Sequence, residues 1–168
     1  MRVLTSNFSN RRSFGCVLAE MLLSRPLFPA DNSPMQMKTI AKVLGSPNVA
    51  SIIGMRVRES NRALAAAREF QGRVEGWEVL RRHKAPVEAA DLLSQLLVYK
   101  PGRRLGALEC LAHPFFDSLR ETAELHRGGA GQGKVLPSLF DFAPDEIEAA
   151  REAGVLEKIL VRALSLAV

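Results

Sequence analysis

The chain has 168 residues, enough for one domain, and 47% of them are apolar, enough to build a core. The net charge of +5 comes from 23 Lys and Arg against 18 Asp and Glu. The basic pairs Arg11-Arg12, Arg81-Arg82 and Arg103-Arg104 are scattered and not interleaved with aromatics, so no nucleic-acid partner is expected.

Residues 1–12 are polar and show no period, nor the apolar core of a signal peptide. From Ser13 to Leu23, Phe14, Val17, Leu18, Met21 and Leu22 recur at helical spacing, and Pro26 and Pro29 stop that helix. Asp31-Asn32-Ser33-Pro34 signals a second start, with Ser33 as N-cap and Pro34 in the first turn. That capping role ranks above a Ser-Pro phosphorylation site. The helix carries Met37, Ile40, Ala41 and Leu44 and ends at Gly45 and Pro47.

Residues 48–84 are the least patterned, although Asn61 to Phe70 is rich in strong helix formers. Glu88 to Val98 places Ala89, Leu92, Leu93, Leu96 and Leu97 on one helical face, broken at Pro101-Gly102. A short helix spans Ala107 to Ala112, before His113-Pro114. Residues 126–134 are Gly-rich and read as a flexible loop. Pro144 opens a helix through Ala150, with Asp145 and Glu146 at its positive end. Val155 to Val168 reads as an amphipathic helix with Leu156, Ile159, Leu160 and Ala163 on one face. It is shorter than the roughly 20 residues that cross a bilayer, so no membrane partner is expected. No strand signal appears, and an all-α fold is expected. Leu18, Met21, Ile40, Leu92, Leu93, Leu96, Leu111 and Phe115 are the expected core. Cys16 and Cys110 read as buried free thiols of a reducing compartment, and the expected location is the cytoplasm or nucleus.

Two signatures stand about ninety residues apart. Ser13-Phe14-Gly15-Cys16 runs on to Pro26-Leu27-Phe28-Pro29, and Tyr99-Lys100-Pro101-Gly102-Arg103-Arg104 is followed by His113-Pro114-Phe115-Phe116. Lys42-Val43-Leu44-Gly45-Ser46-Pro47, Trp77, Ala85-Pro86 and Leu136 to Phe142 fall between and after them. In this order the series resembles the C-terminal lobe of CMGC-group serine/threonine protein kinases, most closely the glycogen synthase kinase 3 branch. The resemblance implies an incomplete helical C-lobe over 13–120, an unmatched segment over 1–12, and a kinase tail over 121–168. It implies structural roles for Ser13, Gly15, Tyr99, Pro101, Arg104, His113, Pro114 and Phe115. In the family, the Arg matching Arg104 pairs with the Glu of an Ala-Pro-Glu motif. No Ala-Pro-Glu occurs here, so Arg104 must find a substitute carboxylate, turn to water or destabilise the fold, and it is expected to be more exposed than in a complete kinase.

The departures matter as much. Asn10 stands where the family has an Asp, Arg12 where it has a Trp, and Gly106 where it has a capping Thr. Kinase transfer needs a Gly-rich loop, a strand Lys, a catalytic Asp and Asn, and a metal-binding Asp-Phe-Gly. None of these motifs is in the sequence. ATP and magnesium belong to the parent family, and no catalytic, cofactor or metal residue is assigned in this chain. Gly128 to Lys134 copies seven positions of a phosphate-binding loop, but Val135 replaces the magnesium-binding Ser or Thr and Pro137 forbids an immediate helix. Cys110 and His113 lack the second pair that a zinc site needs. Glu20 and Glu109 read as capping or surface carboxylates. If a lobe lacks its covering chain, Phe14 and Val17 should stay exposed, offering apolar surface to another protein. The two functional expectations are therefore a partial kinase domain, inactive in isolation, and a non-catalytic protein-binding module.

Overall fold

A computed structural model describes residues 8–48, 65, 76–119 and 142–160. The regular structure of these residues is helical, with no strand among them. The expected helix over 61–70, the Gly-rich segment and its phosphate-loop copy, and Ala163 lie outside the described residues, apart from Ala65, which is helical. The described residues divide into two compact units, one within Asn7–Leu105 and the other within Gly106–Val168.

In the first unit, α1 spans Phe8–Leu23, α2 Ser33–Leu44, α3 Glu78–Arg82 and α4 Val87–Leu96. A 3-10 turn follows at Pro101–Arg103. Helix α1 starts five residues before the apolar period does. Its polar first turns are held from outside, since the Arg11 guanidinium donates to the Arg104 carbonyl at 3.2 Å. The α1 face that packs carries Gly15, Leu18, Ala19 and Leu23, all buried. Phe14, Val17 and Met21, spaced three and four apart, line an exposed stripe. Met21, expected in the core, is 67% exposed because it belongs to this second stripe.

Asn32, not Ser33, caps α2. Its Oδ1 accepts from the Met35 N–H at 2.9 Å, and Ser33 is the first helical residue. The two residue types cap about equally well, so composition could not choose between them. Gly45 closes the helix, its N–H donating to the Ala41 carbonyl at 2.9 Å. Helix α3 places Glu78 in its first turn and Arg81 and Arg82 in its last, matching the helix dipole. Its single anchor is Leu80, fully buried. The core of this unit is the apolar face of α4 with its neighbours: Ala89, Leu92, Leu93, Leu96 and Leu97 are all buried, as are Leu18, Ile40 and Val43.

In the second unit, α5 spans Ala107–Leu111, a 3-10 turn Pro114–Phe116, α6 Pro144–Glu152 and α7 Leu156–Leu160. The Gly106 N–H donates to the Glu109 carboxylate, and the Ala143 N–H to Glu146 Oε2 at 3.0 Å. Each glutamate supplies the acidic half of a capping box, which compensates for a start residue without a capping side chain. Ala112, Ala150 and Ile159 form this unit's core, with Leu108, Phe142, Val155 and Leu156 packed against it. Leu111 is 39% exposed and Phe115 only half-buried, against expectation. On the short α5 the buried positions are Cys110 and, just beyond it, Ala112, which turns Leu111 outward.

Candidate functional site

Four residues of the kinase-like series meet at one junction of the first unit. Gly15 sits where α1 crosses the end of α4. A Cβ on it would lie 2.9 Å from Leu97 Cδ2 and 3.2 Å from Leu96 Cβ, so a larger residue there would make the Leu97 side chain shift. The close approach of the two helices thus favours glycine at this position. Tyr99 reaches from the segment after α4 to the end of α2, its O–H donating to the Gly45 carbonyl at 2.7 Å. Pro101 opens the 3-10 turn, and Arg104 follows it. Ser13 lies two residues before Gly15 on α1 and is exposed.

Arg104 overturns the expectation of exposure: it is only 7% exposed. Its Nε donates to the Val98 carbonyl at 3.1 Å and its Nη2 to the Tyr99 carbonyl at 3.4 Å. These carbonyls follow the C-terminal end of α4, where a helix dipole favours a cation. Backbone oxygens thereby give the guanidinium a buried seat in a sequence that has no Ala-Pro-Glu. Burial holds the Arg104 pKa below its usual value, and the nearby Arg12 and Arg11 guanidinia lower it further. The same environment raises Tyr99 to about 12, chiefly because burial disfavours the phenolate. It also raises Cys16, again chiefly by burial, with Arg12 and Arg104 opposing. Cys16 is half-buried rather than buried, and a thiol shifted upward is a poor nucleophile.

His113, Pro114 and Phe115 belong to the second unit. His113 is buried, and its Nδ1 accepts from the Phe115 N–H at 3.2 Å, capping the turn Pro114–Phe116. Phe115 and Phe116 pack edge to face, 4.9 Å between ring centres. Pro114 is exposed and begins the turn. These are packing and capping roles. Among the described residues, no three His, Cys, Asp or Glu side chains gather as a metal-binding set, and no helix is long and apolar enough to cross a membrane.

Two cavities flank α2. The larger, about 400 Å³, is lined in part by Trp77, Tyr99, Lys100 and Arg103. The smaller, about 300 Å³, lies among α2, α3 and the segment after α1. Sequence reasoning missed both. Their residues come from elements far apart in the chain, and α3 itself carried no period. Compared with models of known protein families, the chain matches none.

Proposed function

We propose that the chain is a portion of the C-terminal lobe of a serine/threonine protein kinase, of the glycogen synthase kinase-like CMGC type. We further propose that it transfers no phosphate on its own. The observation that supports this reading is the junction around Arg104. Gly15, Tyr99, Pro101 and Arg104 occur in the order and spacing of the family's motifs, and Gly15, Tyr99 and Arg104 each make a packing or hydrogen-bond contact within the first unit. In a complete kinase of this kind, the activity is transfer of the ATP γ-phosphate to Ser or Thr with magnesium. That reaction depends almost wholly on positioning and charge stabilisation. The sequence holds none of the positioning motifs.

A thermal-shift titration with ATP, with and without magnesium, tests this directly. No saturable shift is expected in either condition. Magnesium-dependent, saturable stabilisation overturns the proposal.

A second reading, a non-catalytic protein-binding module, is favoured by the exposed Phe14, Val17 and Met21 stripe on α1. Apolar side chains aligned on one exposed helix face suit a partner's apolar groove or helix.

A further inference from the structure

Two Ser-Pro dipeptides flank α2, and no Thr-Pro occurs in the chain. Ser33-Pro34 opens the helix, and Ser46-Pro47 follows its end. Their surroundings differ. Every residue from Pro29 to Gln36 is exposed except Pro34, which is half-buried. The chain just before Ser33 is not helical, and Asn32 is extended. Asn32 also supplies the cap, its Oδ1 accepting from the Met35 N–H. Capping therefore does not account for the exposed serine at position 33. A residue before proline favours extended backbone. Opening of the first turn thus extends Asn32 and Ser33 within an exposed segment, the form in which a protein kinase takes its substrate.

Ser46 is exposed too, but its neighbours are held. The Gly45 N–H donates to the Ala41 carbonyl at 2.9 Å, and the Gly45 carbonyl accepts from the Tyr99 O–H at 2.7 Å. Pro47 is buried. An enzyme that reads a proline after the acceptor serine cannot reach that ring without displacing the segment after α2.

We propose that Ser33 is a phosphorylation site for a proline-directed serine/threonine kinase, and that Ser46 is not. The Ser33 Oγ attacks the γ-phosphorus of ATP held by that separate enzyme. An Oγ–P bond forms, the bond from the γ-phosphorus to the bridging oxygen breaks, ADP leaves, and the hydroxyl proton passes to the kinase's base. The phosphate then stands at the first helical position of α2, whose first turn carries no acidic residue. Negative charge there is favoured by the helix dipole. The site does not draw on the kinase resemblance of this chain and stands or falls separately from it.

The test incubates the full chain with ATP, magnesium and a proline-directed kinase, and maps phosphopeptides by mass spectrometry. Phosphate is expected on Ser33, with Ser46 modified at least about tenfold more slowly. Pro34→Ala should slow modification of Ser33 about tenfold, the cost of a lost contact in an apolar pocket. Ser33→Ala should abolish it and Ser33→Thr retain it, each with unchanged circular dichroism because Ser33 is exposed. In the phosphorylated chain, amide exchange at Met35 and Gln36, whose N–H groups donate to Asn32, should slow about two- to fivefold. No phosphate on Ser33, or Ser46 modified equally fast, overturns the site. Modification of Ser33 that Pro34→Ala leaves unchanged overturns its assignment to a proline-directed enzyme. Unchanged or faster exchange overturns the stabilising effect of the phosphate.

Discussion

Tyr99 is the single tyrosine of the chain, so phenolate absorbance reads its ionisation without interference from another tyrosine. Its folded pKa lies near 12, above the ordinary value of 10.0, because burial disfavours the charged phenolate. A raised pKa stabilises the fold fully below the unfolded value, and that stability is lost as pH rises toward the folded value. The chain should therefore lose stability between about pH 10 and 12. An absorbance titration of the native chain should give a midpoint well above that of the chain in denaturant. Coincident midpoints would contradict the burial. Arg104, beside it, has a different consequence. A charge this buried, donating to two backbone carbonyls, is not a surface arginine. Arg104→Ala leaves those oxygens without that donor and should cost about 1.5–3 kcal/mol in denaturant unfolding, the range for a charged hydrogen-bond donor. A cost below about 1 kcal/mol, the value for an exposed charge, would mean that the seat contributes nothing.

Helices α3 and α6 end in the same way with different residues. After α3, the Ala85 N–H donates to the Leu80 carbonyl at 3.1 Å and the Lys84 N–H to Arg81 at 3.0 Å. After α6, the Val155 N–H donates to Ala150 and the Gly154 N–H to Arg151, both at 3.0 Å. This paired closure needs a left-handed residue, here Lys84 at φ 55° and Gly154 at φ 68°. Glycine adopts that conformation freely, whereas a lysine pays for its Cβ. Lys84→Gly should therefore raise the unfolding midpoint, by about 1 kcal/mol in stability. A loss would show that the Lys84 side chain contributes more than its strain costs. The same contrast bears on what the sequence could disclose. Leu92, Leu93 and Leu96 were legible because α4 has nearly three turns, long enough to show a period. Helix α3 has five residues and one buried anchor, so its existence depends on where Leu80 packs. The resemblance singled out Arg104 as a structural residue, whereas its burial departs from the expected exposure. The Val98 and Tyr99 carbonyls that accept from it belong to the backbone, and side-chain identity does not reveal them.

Among the described residues, Met35, Val87, Leu111 and Leu119 are also exposed apolar side chains, while on α1 three such residues align on one face. Phe14 is 42% exposed, Val17 55% and Met21 67%, one above the other along the helix. Burying such side chains is favourable, at roughly 25 cal/mol per Å² of apolar surface. Three partly exposed side chains fall well short of the roughly 800 Å² per partner typical of a stable interface. The stripe should therefore drive weak association, visible as a mass that rises with concentration in light scattering, rather than a fixed dimer. Val17→Glu places a charge at its centre and should hold the chain monomeric over the same range. Stability should change little, because Val17 faces solvent and exposed substitutions usually stay within about 0.5 kcal/mol. If the unsubstituted chain remains monomeric at every concentration, the stripe is not adhesive and the protein-binding reading loses its support. If Val17→Glu unfolds the chain, Val17 is packed rather than free. Met21→Lys, at the most exposed position of the stripe, separates these cases, since it should also abolish association while leaving the fold intact.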